Sequence, residues 1–107
     1  MTTSEYRAYK RKIEEQGYTY YPNQPYTGWN QWRKYYQWDT DFEAMVRIQV
    51  FDTTEFEQGI TLLVEGEFNC NSDAPVRIQK KFGFDPDLDY VDSKMKELTE
   101  KIREIIK

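Results

Sequence analysis

The chain of 107 residues contains no histidine, a single cysteine, five glycines and four prolines, and no apolar run longer than Leu62-Leu63-Val64. Each shortage removes a class of function. Without histidine there is no imidazole to act as general acid or base, to ligate zinc, or to activate a serine or cysteine nucleophile. The glycines stand singly, at 17, 28, 59, 66 and 83, so no glycine-rich loop is present to cradle a phosphate. A carboxylate pair working as in glycoside hydrolysis would need a cleft that a domain of this size rarely provides. The expectation is a non-enzymatic protein that uses no cofactor and no metal. A membrane-spanning helix takes about 20 consecutive apolar residues, and the mean hydropathy of −0.94 leaves no room for one. The first residues, Met-Thr-Thr-Ser-Glu-Tyr-Arg, lack the apolar stretch of a secretory signal. Cys70 alone cannot form an internal disulfide, and no Asn-x-Ser/Thr sequon occurs, both of which fit a reducing cytoplasm.

What the chain has instead is aromatic side chains, 17% of its residues. They offset a shortage of aliphatic core material, because each ring buries more area than an aliphatic side chain. Residues 18 to 38 hold Tyr18, Tyr20, Tyr21, Tyr26, Trp29, Trp32, Tyr35, Tyr36 and Trp38. Pro22 and Pro25 forbid regular structure in the first half of this segment. In the second half, Trp29, Trp32 and Tyr36 keep helical spacing while Trp32, Lys34, Tyr36 and Trp38 alternate as a strand does, and the expectation is a short strand entering a sheet.

Periodicity organises the rest. Tyr6, Tyr9 and Ile13 keep helical spacing behind Thr2 and Glu5, a capping-box pair, and Gly17 ends that helix. From residue 42 the period is two. Phe42, Ala44, Val46, Ile48 and Val50 share one face, as do Ile60, Leu62, Val64, Gly66 and Phe68, and then Val76, Ile78, Lys80, Phe82 and Phe84. Asp85-Pro86 reads as a helix start, followed by an apolar stripe at Leu88, Val91, Met95, Leu98, Ile102 and Ile105. The expected fold is α+β, a single domain over 1–107. An antiparallel meander of three to four strands packs on the C-terminal amphipathic helix, beside a short N-terminal helix.

Asp85-x-Asp87-x-Asp89 opens like a calcium loop, but Tyr90 stands where the turn needs glycine and Lys96 where it needs the bidentate carboxylate. Asn69-x-Asn71-x-Asp73 departs from the pattern in the same way, with Ala74 at the glycine position. Neither is a metal site. Cys70 has no nearby cation in the sequence and reads as an unreactive thiol.

Charge is unevenly spread. Residues 39 to 73 hold one base against nine acids, namely Asp39, Asp41, Glu43, Asp52, Glu55, Glu57, Glu65, Glu67 and Asp73. Rows of carboxylates at strand spacing present charge much as phosphates do, which makes them a candidate surface for a larger protein with a basic, nucleic-acid-binding site. The candidate partner-binding residues are Asp39, Asp41, Glu43, Asp52, Glu55, Phe56, Glu57, Glu65 and Glu67, flanked by Trp29, Trp32 and Tyr36. An inhibitor of the kind bacteriophages encode against host defence nucleases is the concrete form of this expectation. The plainer reading is that the acids pair across the sheet with Arg47, Arg77 and Lys81. A third expectation puts Trp29, Trp32, Tyr35, Tyr36 and Trp38 on the surface, stacking on single-stranded nucleic acid or a glycan, although a net charge of −4 opposes direct nucleic-acid binding. A fourth is a structural subunit whose exposed aromatics form an oligomer interface.

Overall fold

A computed structural model describes residues 1–22, 30–39, 44–54, 59–70 and 76–105; for Trp38, Asp39, Val76 and Ile105 it describes the backbone alone. The elements are α1 (Thr3–Glu15), β1 (Thr19–Tyr21), β2 (Gln31–Asp39), β3 (Ala44–Asp52), β4 (Leu62–Cys70), β5 (Val76–Phe84) and α2 (Leu88–Ile105). The strands form one antiparallel sheet in the order β1-β2-β3-β4-β5, so every neighbour in space is a neighbour in sequence. The fold is α+β as expected, with five strands rather than three or four. The additional strand is β1, three residues that fit between Gly17 and Pro22.

Alternation decides which face each strand buries. On β3, Ala44, Val46, Ile48 and Val50 are buried; on β4 the matching residues are Leu62, Val64, Gly66, Phe68 and Cys70. Both helices pack on this face. Val91, Met95 and Ile102 of α2 and Ile13 of α1 complete one apolar core, which Tyr18 and Trp32 also enter. Gly66 lets α2 approach, since a Cβ there would meet the Met95 sulfur at 2.7 Å and Ile48 Cδ1 at 3.4 Å. Cys70 is the last residue of β4 and is buried.

Two register shifts alter the alternation. In β2, Tyr35 opposes Arg47 and Gln37 opposes Val46, so Tyr36 is the extra residue of a bulge. Between Val64 and Glu65 the partner strand skips from Gly83 to Lys81, making Phe82 extra. Gly83, at φ 85°, supplies the left-handed conformation such bulges use. The second bulge corrects the strict alternation of β5. Phe82 packs on the core, whereas Phe84 opposes Leu63 on the other face and is 52% exposed.

Side-chain hydrogen bonds fix both helices. The capping box of Thr2 and Glu5 forms as the sequence suggests. At the start of α2 the cap is Asp87, whose carboxylate accepts from the Asp89 amide at 3.0 Å. Asp85 has a different task. It adopts φ 50° and joins Leu62 through two bonds, accepting from the Leu62 amide and donating its own amide to the Leu62 carbonyl. Lys12 and Gln16 of α1 both reach Asp89, and the Tyr9 hydroxyl donates to the Pro86 carbonyl at 2.7 Å.

Candidate functional site

No described element covers the sheet face opposite the helices. Register assembles that face in transverse rows. Arg33, Gln49, Glu65 and Lys81 make one row across β2 to β5, and Tyr35, Arg47, Glu67 and Gln79 make the next. Gln31, Phe51, Leu63 and Phe84 make a third, more apolar row towards the end that carries Tyr21.

Glu67 is the centre of the described part. Its Oε2 accepts from Arg47 Nη2 at 2.8 Å and Nε at 3.2 Å, and its Oε1 accepts from Arg77 Nε at 2.9 Å. Three strands are thereby tied by one carboxylate that is only 8% exposed. Burial alone would lower the Arg47 pKa; hydrogen bonds to Tyr35 and Glu67 hold it above its usual value instead. Gln31, also buried, accepts from Arg33 Nε at 3.0 Å and from Gln49 Nε2 at 3.4 Å. The Arg33 guanidinium stands 4.3 Å from the centre of the Tyr21 ring. What projects above this bonded layer is the Tyr35 ring at 39% exposure, the Phe84 ring, and the Arg77 side chain at 61%.

The sign of this surface differs from the charge of the sequence segment that supplies part of it. Its described charged residues are Arg33, Arg47, Arg77 and Lys81 against Glu65 and Glu67. The acids of β4 face the bases of β3 and β5, because antiparallel register puts Arg47 against Glu67 and Lys81 against Glu65. The plainer reading of these acids therefore describes Glu67 correctly.

The remaining candidates fall in three groups. Trp29, Asp41, Glu43, Glu55, Phe56 and Glu57 lie outside the described residues, and of Asp39 only the backbone, opposite Ala44, is described. Trp32 is core, 5% exposed, with the Tyr20 ring at 5.1 Å. Tyr36 is on the helix side, where its hydroxyl donates to Asp92 at 2.6 Å. Asp52 is also turned to the helices and accepts from the Tyr6 hydroxyl at 2.7 Å. Asp92, which the sequence does not single out, also binds Lys34 at 3.0 Å and Lys96 at 2.9 Å. Burial alone would raise its carboxyl, but the bonds from Tyr36, Lys96 and Lys34 outweigh that and hold it at about 2. Burial and the same bond push the Tyr36 phenol well above its ordinary range.

A cavity of about 270 Å³ opens between α1 and the first strands, lined by Tyr6, Lys10, Glu14, Tyr20, Trp32 and Asp52 among others. Its polar groups are partly engaged with one another. Asp52 holds the Tyr6 hydroxyl, and the Lys10 ammonium sits 5.0 Å from the Tyr6 ring centre. The chain matches no protein-family model, no curated protein and no solved structure.

Proposed function

We propose that the protein is a non-enzymatic module that binds another protein, and that it does so through the sheet face turned away from the helices. The observation carrying this reading is the Arg47–Glu67–Arg77 bridge, which prepays the ordering of long side chains across three strands and leaves aromatic rings and an arginine exposed beside it. Such a surface loses little side-chain entropy on association. Tyrosine and arginine are also the residue types that dominate interface energetics. The partner region that fits is acidic, because the described charges of the face are four bases against two acids. Absence of catalysis is part of the proposal, and it is supported by the lack of any imidazole and by the engagement of Asp92, Tyr36 and Tyr6 with structural partners.

The inhibitory, phosphate-mimicking form of this reading rests on Asp39, Asp41, Glu43, Glu55, Glu57 and Glu65, since Glu67 is neutralised by two arginines and Asp52 faces the helices. Stacking on bases or sugars loses Trp32 and Tyr36 as platforms for the same kind of reason. The test is affinity capture from cell lysate with the immobilised wild type and with Tyr35→Ala/Phe84→Ala, whose targets are exposed and which should still unfold cooperatively, at a somewhat lower temperature because the Tyr35 bond to Arg47 is lost. The expected result is a protein retained by the wild type and lost with the double variant. Retention indifferent to both substitutions, or abolished by nuclease, contradicts the reading.

A further inference from the structure

The two edges of the sheet are unequal. β1 closes one side with three residues, whereas β5 runs for nine and, among the described residues, no strand pairs with its outer edge. On β3 and β4 alternate residues are buried. On β5 the five consecutive residues Arg77, Ile78, Gln79, Lys80 and Lys81 are all exposed. The reason is the placement of α2, which lies chiefly over β2 and β3, meets β5 at Phe82 and leaves its helix side exposed at Ile78 and Lys80. Ile78 is 45% exposed there, beside Phe82, which meets the Tyr90 ring of α2 edge-on at 6.4 Å. An unpaired row of backbone donors and acceptors next to exposed apolar groups is a template for one more strand.

The side chains restrict what that strand can be. β5 carries Arg77, Lys80 and Lys81 and no acid. A second copy pairing antiparallel about Lys80 would set Lys80 against Lys80 and Gln79 against Lys81, and pairing about Gln79 would set Arg77 against Lys81. Like charges directly opposite destabilise a ladder. These cations oppose those registers of a second copy, whereas an acidic strand meets them with opposite charge in every register. We infer that the outer edge of β5 receives an extended acidic segment of a partner protein as a sixth strand. In that strand, carboxylates lie near Arg77 and Lys81 on the open face, and an apolar residue lies against Ile78 on the other. The inference rests on the reading of the protein as a binding module and adds the mode of capture.

The probe is a capped ten-residue peptide alternating Glu with Val, compared with its counterpart alternating Lys with Val, and the readout is amide hydrogen exchange resolved by residue. The Glu peptide should slow exchange at β5 amides at least about tenfold while the Lys peptide leaves them unchanged. Lys81→Gln should weaken the Glu peptide by roughly threefold, the scale of losing one exposed pair. Lys81 opposes Glu65, so Gln removes the cation without placing a like charge across the sheet. Equal response to the two peptides, protection outside β5, or no response at millimolar peptide overturns the inference. Protection of β5 that rises with protein concentration in the absence of peptide also overturns it, because a second copy is then the occupant. Failure here, with Tyr35→Ala/Phe84→Ala still abolishing capture, removes the edge mode and leaves the binding face standing.

Discussion

Asp92 joins more of the structure than any other described carboxylate on the helix side, linking α2 to Lys34 and Tyr36 of β2 and to Lys96 one turn on. Its carboxyl titrates at about 2 against an ordinary 3.8. The lowered value means that its contribution is fully present above about pH 4 and is lost as pH falls towards 2. At about 1.36 kcal/mol per unit, the linkage is worth about 2 kcal/mol. Asp92→Asn should therefore cost about that much at pH 7, and denaturant titrations of variant and wild type should converge as pH falls from 4 to 2. An equal gap at both pH values contradicts the assignment. Trp32 belongs to the same scale. Buried beneath Tyr20, it should lose about 3–5 kcal/mol as Trp32→Ala, the cost of deleting a large core ring. A melting temperature equal to that of the wild type would return Trp32 to the list of contact residues.

Between elements, α2 comes close to β4 at Gly66. Gly66→Val forces a branched side chain against the Met95 sulfur and Ile48 and should destabilise by about 1–3 kcal/mol, as overpacking does. Met95→Ala alone should cost about 2–5 kcal/mol. Combined, the two should cost less than their sum, because each relieves what the other creates; additive losses would show that α2 does not dock there. At this scale much was legible in the sequence. The two-residue period of 44–50 and 62–68 and the stripe from Leu88 to Ile102 each come from a face in contact with one core. Three features were not legible for local reasons. β1 is too short to show a period, the extra residues Tyr36 and Phe82 break the alternation that would reveal them, and Asp85 and Asp87 are equally good caps until Leu62 claims the first.

For the whole molecule, the distribution of charge along the chain differs from its distribution in space. Nine acids fall within residues 39 to 73, yet β4 lies between two strands bearing arginine and lysine, and the resulting face is bonded and net basic in its described part. That inversion was hidden because cross-strand register, not sequence distance, sets which charges meet. The site proposed above accordingly centres on the exposed rings and guanidinium around Glu67, while Asp41, Glu43, Glu55 and Glu57 lie outside the described residues. The most direct test is hydroxyl-radical footprinting of the protein alone and in complex with its captured partner. Four exposed rings report on it: Tyr35 and Phe84 on the open face, Tyr20 and Tyr90 on the helix side. The expected result is that oxidation of Tyr35 and Phe84 falls in the complex while Tyr20 reacts at an unchanged rate. Protection of Tyr20 with Tyr35 and Phe84 still fully reactive would place the partner on the helices and contradict the account.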